Sequence, residues 1–412
     1  MSLAWAAGAP PIFRFPNGYG HHIPGDNMNR RLTALAIGLL AAGATFSAAA
    51  QQQGVTDTEI VLGDILPLSG PPALLGVAHN LGVKVAVAEA NAAGGINGRK
   101  LRLITEDDGY VPSRTIQGVR KLVNSDKIFA FTSISGTAQS QAAMSIIKQS
   151  GLPAMAPITT YEGLYKPTIK NVFAVGYDMR EAVYGLVSMM ADRYPNKKWA
   201  VISQDDEYGE NVREGFERAA KEKKLQVVSS QIFKKGQSDF SSEILKVKQS
   251  GAEALMAGGV LGENITMTKE LERIGHKIPV GVTYVSRVPA SAKMMGSAGE
   301  NVYTVDYVYL ESSPEAKGFM DKMEKYLTAE ERGRANRYSF TGYAATRALF
   351  TAMERCGKAL TADCTNAELA KLKNLETGAM TPIGFTAENH LAAPKLFLLK
   401  ADPAASTYKL AQ

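Results

Sequence analysis

The sequence predicts an α/β protein made of two doubly wound parallel-sheet lobes. Two observations carry that expectation. Short apolar runs alternate with helical stretches of about 10–15 residues, the pattern of parallel strands joined by helical crossovers. The alternation restarts at Lys198, giving two sets, and a chain of 412 residues, 45% of them hydrophobic, is long enough to bury two cores.

Taken in order, residues 59–66 (Glu-Ile-Val-Leu-Gly-Asp-Ile-Leu) read as a buried strand by composition and length. Pro67 to Pro72 is a loop, and Gly76 to Asn91 has helical periodicity, closed by Gly94-Gly95 as a C-cap and turn. That glycine cluster follows a helix and precedes the strand 100–106, the wrong order for a dinucleotide fingerprint, so no cofactor is expected. Asp107-Asp108-Gly109 ends the strand, and 113–124 is a helix. Strands at 129–134, 152–157 and 172–175 follow, then a helix at 180–194. The second set has strands at 198–203, 225–232, 254–257 and 280–283, with helices at 210–223, 240–250 and 264–274. A strand-like run at 302–309 and a long helix at 339–359 complete the reading.

The stretch from Phe129 to Gly163 is the functional focus. Its first loop, Ser135-Gly136-Thr137-Ala138-Gln139-Ser140-Gln141, leaves a strand and opens directly onto a helix. Its second, Ile158-Thr159-Thr160-Tyr161-Glu162-Gly163, leaves the next strand. Free N–H groups, the positive end of a helix dipole and small hydroxyls suit an anion such as a carboxylate. One such loop by itself commonly does no more than cap a helix. Two adjacent ones at the carboxyl ends of strands, where ligands bind in open α/β sheets, point to a small-molecule site.

Residues 28–50 have the order of a secretory signal peptide: basic Arg30-Arg31, a short apolar core, and a small-residue exit at Ala48-Ala49-Ala50. Met28 is the expected start, residues 1–27 are upstream sequence, and the exported chain is expected to begin near Gln51 in the periplasm. The two cysteines, Cys356 and Cys364, are expected to pair in an oxidising compartment, the alternative being two buried thiols. No metal-ligand spacing exists among the five His. The net charge is +6, of which +2 falls in residues 1–50, and no dense Lys/Arg block stands out. That argues against a nucleic-acid partner. No Gly-x-Ser-x-Gly elbow follows a strand, which argues against a hydrolase on this scaffold.

The chain from 55 to 400 resembles the type I periplasmic binding proteins, specifically the leucine/isoleucine/valine-binding branch that serves ABC transporters. The resemblance rests on Leu66-Pro-Leu-Ser-Gly70, Asn91-Ala-Ala-Gly-Gly-Ile-Asn-Gly98, Glu106-Asp107-Asp108, the 135–141 and 157–164 loops, Asp206-Glu-Tyr-Gly-Glu210 and Thr381-Pro-Ile-Gly-Phe385, in that order. It implies a three-strand hinge, with one lobe formed by 55–175 plus 305–380 and the other by 176–304 plus 381–412. The crossings then lie near 304–306 and 380–386. It implies a monomer that hands a small ligand to an inner-membrane ABC permease. It places the ligand carboxylate on the 135–141 loop (Ser135, Gly136, Thr137, Ala138, Gln139, Ser140) and on Thr159-Thr160. The Ile158 carbonyl and Tyr208 face the ligand too. Leu75 stands where amino-acid binders often carry an aromatic residue.

Amino-acid binders also use an acidic group after a second-lobe strand to receive the ligand's ammonium. Here that position falls at Thr283, beside Tyr284, with no carboxylate nearby in the sequence. An ammonium taken out of water without a good acceptor costs several kcal/mol. The expected ligand is therefore a carboxylate lacking an α-amino group. Tyr161, Tyr208 and Tyr284 favour an aromatic acid, since tyrosine rings stack on aromatic ligands. A branched-chain or other amino acid remains the alternative ligand.

Overall fold

Strand Glu59–Leu66 (β1) is buried from its second residue onward, as a strand with neighbours on both sides and helices on both faces must be. Strands Lys100–Asp107 (β2) and Ala130–Ser133 (β3) pair with it in parallel on its two sides. Helix Ala73–Ala92 (α1) links β1 to β2, and helix Pro112–Asn124 (α2) links β2 to β3. Helix Thr137–Ser150 (α3) leads to Ala154–Ala156 (β4), and Val172–Val175 (β5) follows. A computed structural model describes residues 52–70, 72–134, 136–156, 163, 166–392 and 395–411.

The second set begins with helix Met179–Arg193 (α4) and strand Lys198–Gln204 (β6). Helices Glu207–Glu222 (α5), Ser241–Gln249 (α6) and Gly262–Arg273 (α7) alternate with strands Gln226–Phe233 (β7), Ala254–Gly258 (β8) and Val280–Val282 (β9). Short helix Pro289–Met295 (α8) precedes strand Val302–Asp306 (β10). Helices Lys317–Tyr326 (α9), Ala329–Arg334 (α10), Arg337–Arg355 (α11) and Ala362–Leu369 (α12) come next, then strands Leu391–Ala392 (β11), Phe397–Asp402 (β12) and Thr407–Leu410 (β13).

The strands form two sheets, in the orders β11-β5-β4-β3-β1-β2 and β13-β12-β10-β9-β8-β6-β7. The first is parallel throughout. The second is parallel except for β12 and β13, which form an antiparallel hairpin on β10. Strand order reverses at β1 in the first lobe and at β6 in the second. Loops at such switch points bind ligands in open α/β sheets. In the first lobe α1 and α11 cover one face. Their crossing depends on absent side chains: a Cβ on Gly82 would stand 1.9 Å from the Ser339 carbonyl, and one on Gly342 would stand 2.3 Å from that of His79. Among the described residues α1 alone is apolar and long enough to cross a membrane, and this packing explains its composition as that of a core helix.

The chain passes between sheets after β5, after β10 and after β11. The third passage corrects the expected boundary at 380–386. Leu391 and Ala392 pair in parallel with Ala174 and Val175, so 381–392 belong with the first sheet. Phe385 packs edge-on to Phe173 and His390 stacks on that same ring, which holds the segment there. Cys356 and Cys364 are joined in a disulfide that ties the end of α11 to α12. Helix α11 itself starts at Arg337 and ends at Arg355, followed by a single tight turn at 357–359. The leader at 1–50 lies outside the described residues.

Candidate functional site

Helix α3 begins at the carboxyl end of β3, beside the switch point. Its N-cap, Gly136, provides no side chain to close the helix end, and Thr137, Gln139 and Ser140 in the first turn are buried. Gln139 donates from Nε2 to the Tyr110 carbonyl at 2.7 Å, while its Oε1 is buried and unpaired among the described residues. Tyr110 follows β2 in the left-handed conformation, φ 64°. Its ring lies over Gly136, where an added Cβ would come within 2.6 Å of Cε2. Burial pushes the Tyr110 phenol up, and the carboxylates of Asp206, Glu263 and Asp108 push it further.

The second lobe meets this helix end with its own. Asp206 caps α5, accepting from the Tyr208 and Gly209 amides at 3.1 Å each and from Gln204 Nε2. This cap starts the helix at Glu207, where the sequence alone suggested a loop through Gly209. Tyr208 is buried, its hydroxyl 2.7 Å from Thr283 Oγ1 and donating to the Gly259 carbonyl at 3.1 Å. Burial pushes that phenol well above the usual range, a shift that the Thr283 hydroxyl partly opposes. Tyr284 donates to the Tyr177 carbonyl at 2.9 Å, and its ring packs edge-on to Tyr307.

A cavity of about 560 Å³ separates the lobes beside Tyr110. Leu74 and Tyr110 line it from the first lobe, and Gln204, Lys235, Val260 and Glu263 from the second. Lys235 Nζ lies 4.2 Å from the Tyr110 ring centroid, a cation–π contact across the gap. Leu74 is the residue at the cavity. Leu75, one position on and about 100° round the helix, is buried in the core.

The expected residues therefore divide. Gly136 to Ser140 and Tyr208 come to the two facing helix ends. Thr283 and Tyr284 are buried, with Thr283 joined to Tyr208 and Tyr284 turned toward the hinge. Ser135, Ile158, Thr159 and Thr160, and with them Tyr161, lie outside the described residues. Thr283 Oγ1 is 3.4 Å from the Gly259 carbonyl, and a Cβ on Gly259 would stand 2.6 Å from that of Glu263. Sequence reading missed Tyr110, Gln204 and Glu263. Tyr110 was accessible to the same rule that found the 135–141 loop, since it directly follows a parallel strand.

A model of the periplasmic binding protein family matches residues 59–407, almost the whole of this fold. The chain belongs to the periplasmic binding protein family. The binding protein is 25% identical over 341 residues to Leu/Ile/Val-binding protein homolog 7 of Brucella abortus, covering 80% of this chain and 83% of that one. Its fold is similar to that of a branched-chain amino acid ABC transporter protein of Thermus thermophilus with bound valine. The TM-score is 0.79, at 19% identity over 87% of this chain and 96% of the other. It is also similar to an R. palustris solute-binding protein in complex with 4-hydroxybenzoate. There the TM-score is 0.77, at 17% identity, with 86% and 96% covered. As a member of this family it is a binding protein for a small ligand. Members of the family are periplasmic, and such proteins deliver their ligands to a membrane permease.

Proposed function

We propose that the binding protein is exported by a cleaved leader and acts as a monomer, closing its two lobes on a small carboxylate for an inner-membrane ABC permease. The ligand is an aromatic acid without an α-amino group. The observation that carries this reading is the start of α3 at Gly136, where no side chain caps the helix among the described residues and the positive end of the helix dipole suits an anion. Tyr208 stands on the facing helix end, and Thr160 completes the anion site from the neighbouring loop. The fold neighbour in complex with 4-hydroxybenzoate has a ligand of this class.

The second reading, an amino acid, is favoured by Glu263. It is half-buried at the cavity and has no ion pair among the described residues, so it offers an acceptor for an ammonium.

Titration calorimetry of the mature protein against benzoate-like acids, leucine and valine separates the two. The acid reading expects the aromatic acids to bind more tightly than either amino acid. It also expects Thr160→Val to weaken acid binding roughly 10- to 150-fold, since a hydrogen bond to a charged group is worth roughly 1.5–3 kcal/mol. Tight leucine binding with no response to any aromatic acid overturns it.

A further inference from the structure

Among the described residues, the hydrogen bonds and ion pairs that join the lobes lie at the hinge: Arg337 with Asp306, Arg287 with Glu311, and Tyr338 donating to the Val285 carbonyl at 3.1 Å. Lys235 makes a different link, at the cavity. Its Nζ, from the second lobe, lies 4.2 Å from the centroid of the Tyr110 ring on the first. Lys235 is exposed, and its ammonium has no ion pair among the described residues.

Each end of this link is fixed to its own lobe. Lys235 and Gly236 are the central residues of a β-turn: the Gln237 amide donates to the Lys234 carbonyl at 2.9 Å, and Gly236 supplies a φ of 81° at the third position, as in a type II turn. The Lys235 amide donates to Asp205 at 2.9 Å. Phe233 and Phe240, buried and packed edge-on at 5.0 Å, anchor the two ends of the loop. On the other lobe, the Tyr110 amide donates to Asp108 at 2.9 Å, its carbonyl accepts from Gln139, and its ring covers Gly136. The ring is thus tied to the first turn of α3 and does not follow Lys235 when the lobes part. An ammonium over a ring face is attracted by the ring quadrupole. Opening the cleft breaks that contact, so it favours the closed form alone.

We infer that Lys235 is a positioning residue for ligand binding: seated on the Tyr110 ring, its ammonium latches the second lobe over the start of α3. This rests on the two-lobe closure proposed above and not on which ligand is taken. A contact made only in the closed form raises the closed fraction, and the affinity of any ligand that needs the closed form follows that fraction. For an exposed ammonium the latch changes the closed-to-open ratio roughly 2- to 5-fold.

The test places spin labels at Gln117→Cys and Lys246→Cys, exposed positions on α2 and α6, since both native cysteines are held in the disulfide. Distances between the labels are measured in the empty mature protein with Lys235 intact, with Lys235→Met and with Lys235→Arg. The expected result is a shift toward the longer, open distances in Lys235→Met and none in Lys235→Arg, whose guanidinium also stacks on aromatic rings. A thermal melt checks that both variants are folded. In calorimetry with benzoate, leucine and valine, Lys235→Met should weaken every compound that binds by one common factor, and Lys235→Arg should restore it. Distances in the empty protein that Lys235→Met leaves unchanged overturn the inference. An affinity loss with those distances unchanged overturns it too, by making Lys235 a direct ligand contact. If leucine binds and benzoate does not, the acid reading fails, while the latch still stands or falls on the distances in the empty protein.

Discussion

Arg337 and Asp306 form a fully buried, two-pronged ion pair between the lobes: Nε donates to Oδ2 at 2.7 Å and Nη2 to Oδ1 at 2.6 Å. Arg337 opens α11 of the first lobe, and Asp306 ends β10 of the second, where the chain passes between sheets. Arg287 Nε lies 3.2 Å from the same carboxylate, and its Nη1 donates to Glu311 at 2.9 Å. Asp306 also accepts from the Tyr307 and Val308 amides. Burial would lower the Arg337 pKa, but Asp306 outweighs it and keeps the guanidinium charged, with the rings of Tyr284, Tyr307 and Tyr338 around it.

Removing one partner of a buried ion pair strands the other. Asp306→Asn should therefore cost about 3–5 kcal/mol in chemical denaturation. Arg287→Met should cost less than half as much, because Arg337 still holds Asp306 and Glu311 is partly solvated. Equal losses would mean that Arg287, rather than Arg337, carries the hinge.

Asp64 provides a second stability test, through pH. It sits on β1 between Thr105 and Ser133 of the flanking strands and accepts from Asn80 at 2.9 Å, yet its Oδ1 is unpaired among the described residues. Burial raises its pKa to about 6, with Thr105 and Asn80 opposing. The folded value lies above the unfolded one, so the ionised form is disfavoured in the fold. The penalty is absent below about pH 4, grows as pH rises through 6, and reaches roughly 3 kcal/mol at most. Asp64→Asn should accordingly stabilise the protein at pH 8 and do little at pH 4. A gain that is the same at both pH values would show that packing, not ionisation, is responsible.

The features readable from sequence are those with local periodicity. β1, β3, β5 and β6 are short, buried and largely apolar runs, and the α3 loop follows β3. Cys356 and Cys364 are close in sequence, so their pairing needed no knowledge of topology. The β12–β13 hairpin was not legible, because its strands are short and only half-buried. The third passage between sheets was misplaced because Leu391-Ala392 contributes just two residues to its strand. The hinge pair was missed for another reason. Arg337 and Asp306 are separated by 31 positions and lie in stretches whose patterns give no sign of a partner. Gln204 and Glu263 likewise look like ordinary surface polar residues until the fold turns them toward one cavity.

The pairing of Tyr208 with Thr283 leads to the last prediction. In the sequence both looked like groups offered to a ligand, but their hydroxyls are 2.7 Å apart and both lie near the Gly259 carbonyl. If that local triangle is their main role, Tyr208→Phe should cost about 1 kcal/mol, the net value of a typical hydrogen bond. Thr283→Val should cost a similar amount or less, since Tyr208 keeps its bond to Gly259. The two changes should not add. In the Tyr208→Phe protein the Thr283 hydroxyl can turn to Gly259, 3.4 Å away, and part of the loss is recovered. A double-mutant cycle in urea should therefore give a coupling of roughly 0.5–1.5 kcal/mol. The same three variants, titrated with the best ligand, separate stability from recognition. A structural triangle leaves the affinity within a few-fold of wild type. A loss of more than about 10-fold in Tyr208→Phe, with stability unchanged, would instead mean that its hydroxyl leaves Thr283 on closure and binds the ligand directly, since tenfold corresponds to about 1.4 kcal/mol of contact.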